Sequence, residues 1–166
     1  ELLQKLKNID PYFFEKVVME WFGSVDNESI IRALLQHLLK GHVEFVHYYL
    51  SNMITQSFSI RDMKLPERES FYHGFLLGIV ICLEGRYAIK SNQESGDGYY
   101  DIALFPTDPA KDPGVLIEVK FKQSAQKALD QIEKENYRQA LAFHGCQKIL
   151  AYGFAFDGKD AEVKLL

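Results

Sequence analysis

The run Val115-Leu116-Ile117-Glu118-Val119-Lys120-Phe121-Lys122 constrains the fold of this chain more than any other stretch. Its apolar, β-branched character reads as a strand, and successive strand side chains alternate between the two faces of a sheet. Ile117, Val119 and Phe121 therefore share one face, while Leu116, Glu118, Lys120 and Lys122 share the other. A carboxylate and an ammonium are thus held side by side on a strand apolar enough to be buried on its opposite face. Just upstream, Tyr99-Tyr100-Asp101-Ile102-Ala103-Leu104-Phe105 is a second strand-like run carrying one acid, Asp101.

Context matters here more than spacing. An acid, any residue and then Lys occurs four times, at Asp62-Met63-Lys64, Glu118-Val119-Lys120, Asp157-Gly158-Lys159 and Glu162-Val163-Lys164. The first sits in a polar connector before Pro66, and the third is a glycine-containing turn. The fourth lies on a strand-like end whose nearest upstream acids, Asp157 and Asp160, fall in the preceding turn. Only the second follows an acid-bearing strand at hairpin distance. Two acids and a lysine on neighbouring strands are the groups a Mg2+-dependent phosphodiester-cleaving site needs.

Length and composition fit a compact chain of α and β parts. With 166 residues, 47% of them hydrophobic, a buried core forms without cross-links. Cys82 and Cys146 read as reduced thiols of an intracellular, cytoplasmic protein, since no signal-peptide pattern is present. The longest apolar stretch, Phe71 to Leu83, is interrupted by His73, Gly74 and Gly78, so no membrane span is expected. A net charge of −4 excludes a pervasive basic surface for nucleic acid, though not a local basic groove. The chain opens at Glu1 directly in a helical pattern, as a fragment of a longer protein would.

The first 65 residues read as helices. Asp10 caps a helix with Pro11 at its first position, and Tyr12 to Phe22 supply an apolar face ended by Gly23. Asp26 or Asn27 starts a second helix with Ile30, Ile31, Leu34, Leu35, Leu38 and Leu39 at helical spacing, stopped by Gly41. A third carries Val43, Phe45, Val46, Tyr49, Leu50 and Ile54, and Ser57 to Leu65 is a polar connector. From Pro66 the pattern changes. Glu67 to Glu84 reads as one long buried helix stopped by Gly85, in which Gly74 and Gly78 suggest close helix packing. Tyr87 to Ser95 is a strand, Gly96-Asp97-Gly98 a tight turn, and Pro106 to Gly114 a loop between the two acid-bearing strands. Ser124 caps a helix through Lys134. A break near Glu135-Asn136 precedes a short helix from Tyr137 to Phe143, ended by Gly145. Lys148 to Phe156 and Ala161 to Leu166 are strands joined by a turn at Asp157-Gly158.

This order, with an acid on the second strand and Glu-x-Lys on the third, resembles the PD-(D/E)XK nuclease superfamily. Within it, the chain is similar to a family of bacterial domains found after an ATPase-like domain of the AAA type. The resemblance is carried by Glu69-Ser70-Phe71-Tyr72-His73-Gly74-Phe75-Leu76-Leu77-Gly78, by Ser91 through Ile102, by Leu116 through Lys122, and by Ala128-Leu129-Asp130-Gln131-Ile132. It covers roughly residues 67–166. It implies a restriction-endonuclease-like core, an α/β (α+β) arrangement of mixed β-sheet flanked by helices, over residues 66–166. Residues 1–65 are then a helical region continuing from the upstream ATPase-like part. Such families often have Arg just before the Tyr-Asp pair, where this chain has Tyr99, and a proline before the acid, where it has Tyr100.

The resemblance also implies chemistry. Asp101 and Glu118 would be metal ligands, with the Val119 carbonyl as a third oxygen. Mg2+ or Mn2+ would be the ion, for hard cations take oxygen ligands in near-octahedral geometry. Lys120 would orient water or neutralise the phosphate. Glu69 resembles a helix-borne acid that holds a ligand water, and Glu94, Gln131 and Tyr137 are possible supporting residues. The partners implied are nucleic acid, DNA ahead of RNA, and the upstream ATPase-like domain. The plain alternatives are a solvated Glu118–Lys120 salt bridge, Asp101 as a strand-edge acid, Glu94 as a turn cap and Glu69 as a helix-dipole acid. His73, one helical turn after Glu69, reads as a partly buried hydrogen-bonded side chain. Three function classes follow: a nuclease-like enzyme, a degenerate relative that binds nucleic acid or protein, and a structural adaptor.

Overall fold

In the computed structural model, which describes residues 25–57, 68–158 and 160–166, the two acid-bearing runs are adjacent strands at the middle of one sheet. The helix expected from Asp10 to Phe22 and residues 58–65 of the connector lie outside the described residues, while Ser57 closes a helix. The chain gives α1 (Val25–Lys40), α2 (Val43–Ser57), α3 (Arg68–Val80), β1 (Tyr87–Ser95), β2 (Gly98–Pro106) and β3 (Gly114–Phe121). It continues with α4 (Ala125–Lys134), α5 (Arg138–Phe143), β4 (Ile149–Asp157) and β5 (Asp160–Leu165). The strands lie in the order β1-β2-β3-β4-β5, all neighbours antiparallel except the parallel pair β3 and β4. A parallel neighbour requires a long crossover, and α4 and α5 supply it.

Helices cover both faces of the sheet. On one, α1, α2 and α3 bury Leu34, Leu38, Val46, Leu50, Ile54, Tyr72 and Leu76 against Ile102, Ile117, Val119, Phe154 and Phe156. Tyr72 stacks on Phe156 at 4.2 Å, and the Tyr152 hydroxyl donates to the Leu38 carbonyl at 2.6 Å. The N-terminal helices are therefore part of the same core as the sheet. On the other face, Leu129, Ile132, Tyr137 and Leu141 of the α4–α5 segment pack on Tyr100, Ala103, Leu116 and Ala151. The strand carrying Glu118 is thus buried on both faces, where its sequence alone called for burial on one.

Local chemistry explains the boundaries. Ser124 caps α4 by accepting from the Lys127 amide, and apolar residues at Ala125, Ala128, Leu129 and Ile132 mark the helical stripe that is buried. The Ala125 amide donates to Glu162 Oε2 at 2.8 Å. The fourth acid-x-Lys copy is therefore a tether for α4. The break before α5 falls at Asn136, whose φ is +52°. The long helix expected to reach Glu84 ends earlier: α3 stops at Val80 and Ile81–Leu83 tighten into a 3-10 turn. Gly78 has open space where a Cβ would stand, so close helix packing does not account for it. Gly96 is different. With φ at +63° and its ideal Cβ position 2.1 Å from the Glu135 carbonyl oxygen, it lets the β1–β2 turn dock on the α4–α5 junction.

Candidate active site

The ladder between β2 and β3 stops short. Their paired residues run from Leu104–Val115 to Ile102–Ile117 and go no further, so the strands part just where Asp101 and Glu118 follow. The freed backbone donors are taken up by the acids. Asp101 Oδ2 accepts from the Val119 amide at 2.8 Å, and Glu118 Oε2 accepts from the Asp101 amide at 3.3 Å. Each carboxylate thus reaches across to the opposite strand, and both occupy the gap between them. Buried donors demand partners, and charged acceptors satisfy them well.

The β1–β2 hairpin changes face at the same level. Ser91 and Ile102 pair, as do Gln93 and Tyr100, but Asn92 between them has φ +48° and is not paired with Asp101. Before this point Ile89 and Ile102 face the α3 side. Beyond it Tyr100 packs on Tyr137, and the Ser95 hydroxyl donates to the Tyr137 carbonyl at 3.1 Å, on the α4–α5 side. The slip in alternation leaves Asp101 within reach of α3. His73 Nδ1 lies 3.6 Å from Asp101 Oδ1, while its Nε2 is 2.8 Å from the Ser91 hydroxyl.

Glu118 is only 2% exposed, and its partner is Lys120, whose Nζ sits 3.1 Å from Oε1. Burial, reinforced by the charge of Asp101, pushes the Glu118 carboxyl up to about 8, against the pull of Lys120. Burial likewise raises Asp101, opposed by the Val119 amide and by Lys120. A solvated cross-strand salt bridge would leave its acid exposed, so this pair is not one. Two desolvated acids share one ammonium, which leaves negative charge uncompensated when both ionise. The donors are hard oxygens, and the deficit is what a divalent cation offsets, so the residues fit Mg2+ or Mn2+. A residue in an antiparallel strand directs its N–H and C=O to the same neighbour, so the Val119 carbonyl is aimed into the same gap as its amide.

The supporting candidates divide. Tyr137 is buried, and its hydroxyl accepts from Gln131 Nε2 at 3.1 Å. Burial raises the Tyr137 phenol above its ordinary value, with the acids Glu118, Glu135 and Asp101 adding to the effect and Gln131 opposing it. Both residues therefore stand on the α4–α5 side of the carboxylates. Glu94 is exposed on β1 opposite Tyr99. Glu69 is exposed on the first turn of α3. Among the described residues no three His, Cys, Asp or Glu side chains gather as a ready metal-binding group, so Glu69 and Glu94 are not drawn in with Asp101 and Glu118. The helix contributes His73 instead. As expected it is a half-buried, hydrogen-bonded histidine, but its other ring nitrogen faces the first acid. The signal was its spacing four residues after Glu69, which places both on one side of the helix.

Among the described residues no helix is long and apolar enough to cross a membrane. Comparison with curated proteins gave no match. A family model described as PD-(D/E)XK nuclease superfamily matches residues 67–164. That match spans more than half of the chain and runs through both acid-bearing strands, so the chain belongs to the PD-(D/E)XK nuclease superfamily.

Proposed function

We propose that the chain is a divalent-metal-dependent nuclease domain that hydrolyses nucleic-acid phosphodiesters at Asp101, Glu118 and Lys120. The observation that carries this reading is the shared gap, with two carboxylates exchanging bonds across parted strands and a lysine 3.1 Å from the second. Asp101, Glu118 and the Val119 carbonyl would hold the ion, and a bound Mg2+ or Mn2+ supplies Lewis acidity that polarises the phosphodiester and makes water more acidic. The protein's own groups do the rest. The Val119 and Asp101 amides fix the two carboxylates, limiting the reorganisation needed when substrate arrives. Lys120 places a positive charge beside Glu118, where it steadies the charge that builds on phosphorus-bound oxygens. Gln131 holds Tyr137 against the acids from the α4–α5 side, and His73 holds Asp101 from the α3 side.

The same reading includes DNA ahead of RNA as substrate and an ATPase-like domain upstream, both resting on family resemblance, and a cytoplasmic setting, resting on Cys82 and Cys146 read as reduced thiols. A panel of labelled single-stranded and duplex DNA and RNA, incubated with Mg2+, Mn2+ or a chelator, tests it. Metal-dependent cleavage that disappears in Asp101→Asn and Lys120→Met supports the nuclease. Tight binding with no cleavage under any metal supports the competing reading, a degenerate domain that keeps the fold as a binding module.

A further inference from the structure

The hairpin end beside the site carries an aromatic side chain that the fold does not bury. Tyr99 is 64% exposed, whereas the adjacent Tyr100 is packed edge-on against Tyr137 with ring centroids 6.4 Å apart. Because Tyr100 faces the α4–α5 side, alternation turns Tyr99 and Asp101 to the other side, from which His73 approaches Asp101 at 3.6 Å. Two residues of strand cover roughly 7 Å. The ring therefore stands one short step from the carboxylate, on the same side of the hairpin. Isolated exposed aromatic residues are common, and Phe143, 81% exposed, is an example. Position sets Tyr99 apart.

Charge decides what such a ring can hold. Duplexes are gripped mainly by neutralising their phosphates with Lys and Arg. Here the residue opposite Tyr99 is the exposed Glu94, and the net charge of the chain is −4. An exposed ring offers affinity without charge, because every unpaired base presents a π-face on which it stacks. In a duplex those faces are already stacked on one another. We propose that Tyr99 is a base-stacking residue that directs the site to strands with unpaired bases, seating a nucleobase beside the phosphodiester held at Asp101. The proposal rests on the nuclease reading for that last step, while the stack itself is measurable without cleavage.

The test uses single-stranded DNA and RNA oligonucleotides carrying a central 2-aminopurine, with the duplexes of the same sequence. In chelator, the wild-type protein should quench 2-aminopurine fluorescence in the single strands and leave the duplexes unchanged, and comparing the two sugars identifies which nucleic acid is held. Tyr99→Ala should abolish the quench and weaken single-strand binding five-fold or more, while Tyr99→Trp retains both. Being exposed, the position should leave the melting temperature unmoved in either variant. With Mg2+ or Mn2+, the loss in Tyr99→Ala should fall on KM for single strands. Quenching lost in Tyr99→Ala supports the stack even where neither protein cleaves, an outcome that defeats the nuclease reading alone. Absence of quenching by the wild-type protein, or equal quenching by Tyr99→Ala, overturns the proposal.

Discussion

Glu118→Gln separates a buried site from a surface ion pair by the way stability changes with pH. The Glu118 carboxyl is held at about 8 in the folded protein against an ordinary 4.5, because burial and then the charge of Asp101 disfavour its ionised form. An acid with a raised folded pKa destabilises the fold progressively as pH climbs. Its contribution is most favourable below about pH 4.5, where both states are protonated, and is lost as pH rises through about 8. Each pH unit in that window costs the wild-type protein roughly 1.4 kcal/mol, or about 3–5 kcal/mol in all. The carboxamide cannot ionise and escapes that cost. It keeps one acceptor oxygen where the carboxylate has two, so one of the bonds from Lys120 and the Asp101 amide is lost, at about 1.5–3 kcal/mol for a charged partner, but this sets the offset at low pH and not the trend. Urea and thermal melts of both proteins in chelator, from pH 4 to 9, read the difference. The variant should gain on the wild-type protein across the window by the equivalent of on the order of 10 °C, then level off. A difference that stays flat with pH, or a wild-type advantage that grows, would refute the reasoning and return Glu118 to an ordinary salt bridge.

A chain shortened to residues 66–166 should lose cooperative unfolding and bind a hydrophobic dye, because Leu38, Val46, Leu50 and Ile54 are at most 1% exposed in the core shared with the sheet; unchanged melting and a monomeric state would show residues 1–65 to be an independent appendage. Gly96→Ala should lower stability by about 2 kcal/mol or more in chemical denaturation, since the added methyl meets the Glu135 carbonyl and φ is positive. Lys120→Met should reduce kcat at least about 100-fold, the scale expected when a charge-stabilising group is removed from a transition state, and should leave metal affinity equal or tighter in calorimetry.

The strands, their order and the acid pair were legible because they depend on local signals. Alternation around Glu118, the Gly96-Asp97-Gly98 turn and the Ser124 cap are each written in a few consecutive residues. The parting of β2 and β3 was not, because a carboxylate that satisfies a backbone amide on the next strand leaves no trace in hydrophobic pattern. Nor was the slip at Asn92, which puts a non-glycine residue at positive φ in what reads as an ordinary strand. Burial of Glu118 on both sides depends on α4, which is brought over β3 by the crossover. The approach of His73 depends on how α3 lies on the sheet, with Tyr72 stacked on Phe121 and Phe156, a tertiary fact that the Glu69–His73 spacing only hints at. Composition was equally silent about Glu162, whose acid-x-Lys setting duplicates that of Glu118 yet serves to hold the start of α4.

In the proposed function, Asp101 and Glu118 act together as the ligands of a divalent cation. Calorimetric titration of Mn2+ and of Mg2+ into the wild-type protein, Asp101→Asn and Glu118→Gln at pH 8 tests this without any substrate. Saturable binding by the wild-type protein, with protons released as the raised acids ionise and with binding lost in both carboxamide variants, is the predicted result. Equal binding by all three proteins, or no binding by the wild-type protein at millimolar metal, would contradict it.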